Sequence, residues 1–433
     1  MSTDFMEQIA GFAAGSVTPS AAASQVALLS ALDWIAVGLA GAQEPVSGLV
    51  RDMVLEERGV PQASLFGCDT QVPARAAALV NGTTSHALDY DDTHFAHIGH
   101  PSVAVFPAAL AIAEQQDAKL SELMEAALVG METSIRIGLW LGRGHYQVGF
   151  HQTATAGAFG ATVAAARLLG MDAERMPDLL GLTATRSAGL KAQFGTMGKP
   201  YNAGLAAATG VECARLVAAG FVSNPAALDG PFGFGATHHG AGDVETALAE
   251  MDEEWLFEEV SHKFHACCHG LHAALEAART LDLAGPEIAE LTVRTHPRWM
   301  SVCNQVAPDT GLGAKFSYGT VLAMLALGHD TARLDSYRDA LCVDPGLVAL
   351  RQKVQVVEDD SLSETQAVLT VLRRDGAQME AAHDLLTPMS LSERENRVRT
   401  KARALIGADQ ADAAWSLLSG DARARDLARM VRG

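Results

Sequence analysis

Positive charge is scarce in this sequence. Of 433 residues, 32 are Lys or Arg against 51 Asp or Glu, a formal net charge of −19. Neutralising phosphates needs basic patches, so this balance argues against nucleic-acid binding. An acidic chain can still take an acidic substrate if a local cationic pocket overrides the overall field. Cysteine is scarce as well. Cys68, Cys213, Cys267, Cys268, Cys303 and Cys342 are scattered, with no Cys-x-x-Cys pair. That argues against a disulfide framework and points to reduced thiols in a cytoplasmic protein. No Gly-x-Gly-x-x-Gly follows a strand-like run and no Walker-type loop occurs, so no nucleotide cofactor is expected. The opening residues, MSTDFMEQIAGFAAG, lack the basic-then-apolar order of a signal peptide. Apolar runs such as Ala31–Gly41 are too short to span a bilayer and carry an Asp, so they read as core helices and no membrane partner is expected.

What is present is an ordinary globular balance, 48 % hydrophobic and 19 % charged. A mean hydropathy of +0.11 implies extensive apolar burial, part of it in a subunit interface. A chain of this length exceeds what one core usually organises, so two domains are expected.

Apolar residues at helical spacing predict helices over Ala21–Ala40, Ser102–Gln115 and Leu120–Leu141. Ala154–Leu169 and Ala203–Ala219 are rich in Ala and Gly, which suits closely approaching helices rather than phosphate binding. The texture changes near residue 260. Helices are expected over His272–Leu283 and Phe316–Leu327, and strands over Glu287–Thr295, Lys353–Glu358 and Thr365–Leu372. An Asp-Gly turn signal lies in Arg373–Gln378, before a further extended stretch. The chain therefore reads as mainly α: a large multihelical domain of residues 1–260 and 391–433, plus a smaller α+β lid-like domain of residues 261–390.

Four segments could carry chemistry. Asn81–Pro107 gathers His86, Asp89, Asp91, Asp92, His94, His97 and His100 and ends in His100-Pro101-Ser102. Pro101 disfavours helix at His100, which places that residue at a helix entrance. Ser102 is a candidate cap that would leave N–H groups to face an anion. His94, His97 and His100 recur at three-residue steps, which is not the i, i+4 pairing of a zinc helix. An acid–base and carboxylate-binding site fits the segment better, and a polar loop of satisfied histidines is the bland alternative, because burying seven ionisable groups without purpose would be costly.

The second segment, Gly144–Gly160, places His151 before an Ala/Gly helix; by itself such a His is more often structural. In the third, Phe194–Gly204, Lys199 opens another small-residue helix. A Lys there runs against the helix dipole unless an anion sits between the two, although most lysines are simply solvated. The fourth, His262–His272, packs four His, Lys263, Cys267 and Cys268 into a short span. It lacks zinc spacing, and a reactive thiol at Cys268 would lack an orienting third group. It sits at the expected domain boundary, where clefts are common.

Together the segments resemble the MmgE/PrpD family. The landmarks are Asn81-Gly82, His86-Ala-Leu-Asp89-Tyr-Asp91-Asp92-Thr93, His100-Pro101-Ser102, Gly149-Phe150-His151, Gly195-Thr-Met-x-Lys199-Pro200, Lys263 with Cys267-Cys268, and Lys315-Phe316-Ser317. The resemblance covers about residues 25–390. It implies a helical domain with a smaller α+β domain, usually as a homodimer. It also implies an enzyme without metal or cofactor that acts on a small polycarboxylate, as 2-methylcitrate dehydratase, cis-aconitate decarboxylase and iminodisuccinate epimerase do. Such enzymes move a proton at carbon next to a carboxylate or its vinylogue, which requires cations and hydrogen-bond donors around that carboxylate.

Carried over by position, the resemblance makes His100 and Lys199 proton-transfer groups. His151 and Lys263 become electrostatic partners of substrate carboxylates, Asp89 orients a His or Lys, and Thr93 and Cys268 contact substrate. The family's decarboxylases carry His where Cys268 aligns and Tyr where Thr320 aligns, with Tyr318 two positions earlier. Its methylcitrate dehydratases often follow His-Pro-Ser with Asp-Asn, where this chain has Val103-Ala104. The wording around His151 and Lys199 is closer to the epimerase branch. The resulting expectation is a dehydratase or epimerase. The alternatives are a cis-aconitate-type decarboxylase, a metal-dependent hydrolase or a non-catalytic binding protein.

Overall fold

The computed structural model describes residues 5–251, 253–281, 283 and 287–433. It is mainly α and divides into two compact units, Met1–His262 with Val398–Gly433, and Lys263–Arg397.

The first unit is built from long, largely buried helices: Ala21–Gly41, Ala74–His86, Ser102–Gln116, Leu120–Val148, Gly157–Leu168 and Gly198–Ala218. Ala21–Gly41 is long and apolar enough to cross a membrane by length and composition. It reaches one residue beyond the expected Ala21–Ala40, is mostly buried inside the unit and serves as a core helix. The stretch expected over Leu120–Leu141 continues to Val148 past a break at Gly142, whose φ of +71° suits glycine. The Ala/Gly segments do pack closely. A Cβ on Gly82 would stand 2.9 Å from the Gly204 Cα, and one on Gly204 would collide with the Leu79 carbonyl and Thr83. Only glycine lets Ala74–His86 and Gly198–Ala218 touch backbone to backbone. That contact matters for function, because one helix ends in His86 and the other begins beside Lys199. A short antiparallel pair, β1 (Ala63–Leu65) and β2 (Cys68–Val72), completes the strands of this unit among the described residues.

The second unit carries a four-stranded sheet: β3 (Ile288–Thr295), β4 (Val354–Glu358), β5 (Gln366–Arg373) and β6 (Gln378–Asp384). Its order is β4-β3-β5-β6, with β3 and β4 parallel and the other pairs antiparallel. Alternate residues of β5 are buried: Ala367, Leu369 and Val371. The Asp375-Gly376 signal makes the β5–β6 turn. Gly376 takes φ +88° and Asp375 Oδ1 accepts from the Ala377 amide at 2.9 Å. The helix expected over His272–Leu283 spans His272–Arg279; residue 282 lies outside the described residues.

Candidate active site

The site in the first unit is assembled where Ala74–His86 ends. The chain leaves this helix through a loop that reaches Ser102, and Asp89 takes a left-handed conformation, φ +49°. An L-residue holds that conformation at a cost, and Asp is among the few that visit it readily. The turn sends Asp89 and Asp91 to different partners.

Asp91 is buried, with each carboxylate oxygen engaged by one imidazole. Oδ1 lies 2.8 Å from His86 Nδ1 and Oδ2 lies 2.8 Å from His100 Nδ1. The two rings meet edge to face with centroids 4.5 Å apart. Burial alone would raise the Asp91 carboxyl, but the two imidazoles hold it well below the ordinary carboxylate range. Asp89 is a third exposed. Its Oδ2 pairs with Lys199 Nζ at 2.6 Å and its Oδ1 stands 3.6 Å from His100 Nε2. Here is the anion that a lysine at a helix N-terminus called for: Asp89 sits over the second residue of Gly198–Ala218.

His151 caps the short helix Gln152–Thr155 and is fully buried. Its ring lies 6.2 Å from that of His86 and 4.8 Å from Phe194, and Phe194 in turn lies 5.4 Å from Lys199 Nζ. Burial, then the charges of His86, Lys199 and His100, push His151 well below the ordinary histidine value. It is therefore neutral at pH 7. Asn202 Nδ2 donates to its Nδ1 at 3.2 Å, so the ring proton belongs on Nε2. A neutral ring with its proton on Nε2 is a hydrogen-bond donor rather than a positive charge.

The other histidines of the loop are structural. His94 Nε2 faces the Leu256 carbonyl at 2.8 Å, His97 Nε2 faces Ser134 Oγ at 3.2 Å, and burial lowers the two to about 4 and about 3. Their three-residue spacing with His100 makes no common ligand set. Atoms of His86, Asp89, Asp91 and His100 do lie within 4.8 Å of one another, a spacing that a cation could use. Those side chains already meet each other's charge, however, and a metal ion would have to displace the Asp91–imidazole and Asp89–Lys199 pairings.

Ser102 is not the cap expected of it. The helix starts at Ser102, and Asp92 faces that N-terminus, accepting from Ser102 Oγ at 2.5 Å and from the Ser102 amide at 3.4 Å. The carboxyl group at this helix end is the protein's own. Burial pushes the Asp92 carboxyl up to about 7, with Asp33 and Asp91 adding to the rise.

Asp89, His100, His151 and Lys199 are thus brought together. Thr93 is half-buried on the same loop, its amide bonded to the Ser261 carbonyl and its hydroxyl 3.5 Å from that oxygen. Lys263 and Cys268 belong to the second unit. Lys263 is buried there, and Cys303 Sγ contacts Cys268 Sγ at 3.1 Å. The Tyr318 hydroxyl donates to the Gly270 carbonyl at 2.7 Å and meets Thr295 Oγ1 at 2.9 Å, so it is committed to that unit's core. The histidines around Cys267 have separate partners: His265 bonds Thr331 and Glu276, and His272 faces the Cys267 carbonyl. His86, Asp91, Phe194 and Asn202 join the site without having been assigned to it from the sequence. For Asn202 a signal existed, since it lies three residues after Lys199 on one helix face.

An acid–base cluster set on a helical unit of this kind defines a class of enzyme fold, and comparison with known proteins identifies it. The MmgE/PrpD N-terminal domain matches residues 7–247 and the MmgE/PrpD C-terminal domain matches residues 265–417. The chain belongs to the MmgE/PrpD family. It is 33 % identical to cis-aconitate decarboxylase from Homo sapiens over 173 residues, 39 % of this chain and 36 % of that protein. It is 28 % identical to cis-aconitate decarboxylase from Aspergillus terreus over 296 residues, 65 % of this chain and 60 % of that protein. It is 25 % identical to mitochondrial 2-methylcitrate dehydratase from Yarrowia lipolytica over 371 residues, 80 % of this chain and 70 % of that protein. The matched stretches span little more than half the length of the Aspergillus relatives.

Proposed function

We propose that this protein is a cofactor-independent lyase or isomerase that abstracts a proton next to a carboxylate of a small di- or tricarboxylic acid, as a dehydratase or an epimerase. The observation that carries this reading is the arrangement around His100. Asp91 holds its Nδ1, while its Nε2 faces the Asp89–Lys199 pair. A base so held can take a proton at Nε2. The carbanion beside the carboxylate then needs positive charge and donors fixed in advance. Lys199 supplies the charge and a transferable proton, and neutral His151 supplies a hydrogen bond. Asp89 orients the two proton-transfer groups in the resting site, and a substrate carboxylate competes with it for Lys199, so binding loosens the ion pair. Reprotonation of the same carbon on its opposite face inverts its configuration; protonation of a β-hydroxyl and its loss as water gives an alkene.

Decarboxylation is the second reading, favoured by the names of several relatives. Cys268 and Thr320, which stand where the family's decarboxylases carry His and Tyr, count against it, as does the commitment of the Tyr318 hydroxyl to Gly270 and Thr295.

Proton NMR in heavy water distinguishes the reactions, with methylcitrate, citrate, cis-aconitate and iminodisuccinate offered to the purified protein without added metal. Deuterium uptake with an unchanged skeleton identifies an epimerase and a new vinyl signal a dehydratase. Loss of a carboxylate identifies a decarboxylase. No change with any of the acids rejects this substrate class.

A further inference from the structure

One carboxylate serves two imidazoles in this site, those of His86 and His100. Asp91, ionised and buried, can only accept, so both Nδ1 atoms at 2.8 Å must donate. Each ring then carries its proton on Nδ1 when neutral and leaves Nε2 unprotonated. For His100 that nitrogen faces Asp89 Oδ1 at 3.6 Å. For His86 it is buried with no hydrogen-bond partner at all. What sets His86 apart from His97, which also keeps one buried ring nitrogen without a hydrogen bond, is that its other nitrogen lies on the carboxylate that holds His100.

We propose that Asp91 and His86 are positioning residues that set the basicity of His100: Asp91 fixes its tautomer and favours its protonated form, and His86, drawing on the same carboxylate across 4.5 Å, holds that favour in check. The proposal takes His100 as the base from the functional reading above. Its physical content is a competition. Positive charge on either ring opposes charge on the other, so His86 makes His100 a weaker base than it would be in a simple Asp–His pair. The remaining charged and titratable groups around His100 are Asp89 and His97 on its own loop, His151 at the cap of Gln152–Thr155, and Lys199 on Gly198–Ala218. Asp89 alone adds negative charge among these, and Lys199 neutralises it.

The test is read in the resting protein, so it does not depend on knowing the substrate. In 15N-histidine-labelled protein, with His100 assigned by its loss in His100→Asn, the wild type is expected to show Nδ1–H tautomers for both rings. In Asp91→Asn the amide has a single acceptor oxygen, so one ring must change tautomer. The titration midpoint of His100 is expected to fall by about 1–3 pH units when the carboxylate is lost. In His86→Phe, which keeps a ring in place but removes the bond to Asp91, the midpoint is expected to rise by about one unit. Opposite displacements are the signature, because a merely structural role would move neither midpoint in a well-folded variant. An Nε2–H tautomer for either ring in the wild type, or midpoints that stay put or move together, overturns the proposal. If these shifts appear and no carboxylic acid is turned over, the functional reading fails while the positioning of His100 stands.

Discussion

Lys401 Nζ lies 2.6 Å from Asp33 Oδ1, with both side chains buried, and the same nitrogen donates to the Tyr90 carbonyl at 2.5 Å. A lysine from the C-terminal helix Leu391–Ile406 thus holds the loop between Asp89 and Asp91 against the core helix Ala21–Gly41. Removing one partner of a buried pair leaves the other charge uncompensated, which costs about 3–5 kcal/mol. Lys401→Met is expected to lower the denaturant midpoint accordingly. The double variant Asp33→Leu with Lys401→Met should recover most of the loss of stability and little of the loss of turnover, since the prop under Tyr90 is still missing. Equal recovery of both would mean that the pair serves stability alone.

Asp92 makes stability depend on pH with a definite sign. Its folded value, about 7, lies above the ordinary 3.8. Between these the folded state binds more protons than the unfolded one, so this contribution to stability is complete below about pH 4 and is lost as pH rises through about 7. The full effect is at most on the order of 4 kcal/mol. Asp92→Asn is neutral throughout and still offers Ser102 an acceptor. Urea unfolding at pH 4, 6 and 8 should show the variant gaining on the wild type as pH rises. A constant difference across that range would mean that Asp92 is ionised in the folded protein throughout.

His151 is neutral across the working range, so its removal should cost rate without moving the pH profile. His151→Ala is expected to lower kcat about 10²–10³-fold, the usual cost of one preorganised donor. His151→Gln, which keeps an N–H donor, should recover part of it. A displaced acid limb in His151→Ala would show that the ring carries charge in the reaction.

The helices that frame the site were legible because burial imposes a period on the sequence. Ala21–Ala40 was read within one residue of the observed end, and the β5–β6 hairpin followed from Asp375-Gly376. Lys199 was legible for a different reason: a cation placed against a helix dipole needs an anion, and Asp89 is that anion. The sharing of Asp91 between His86 and His100 left no local trace. It depends on the left-handed turn at Asp89, and neither five- nor nine-residue spacing has a pattern outside a regular element. The same turn explains why four histidines that look alike in sequence divide into two that reach Asp91 and two, His94 and His97, that are buried and neutral.

His100 is the sharpest test of the site. His100→Ala is expected to abolish turnover while leaving far-UV circular dichroism unchanged. Near-normal activity would remove His100 as the base.

Gly204 links packing to chemistry. A methyl group there would meet the backbone oxygen of Leu79, which cannot rotate aside, as well as Thr83. Gly204→Ala must therefore separate Gly198–Ala218 from Ala74–His86, the helices that deliver Lys199 and His86. Overpacking of this kind costs about 1–3 kcal/mol, somewhat offset by the better helix propensity of Ala. A displacement of about an ångström at a catalytic group can cost two orders of magnitude in rate. Activity should accordingly fall further than stability, by about 10²-fold in kcat at temperatures where circular dichroism still reports a folded protein. Gly160→Ala is the control: its methyl group would meet the Gly130 carbonyl in a contact between Leu120–Val148 and Gly157–Leu168, which deliver neither residue. Loss of stability in both variants with loss of rate only in Gly204→Ala would tie the rate to the spacing of Lys199 and His86; equal loss of rate in both would assign it to general loosening of the helical unit.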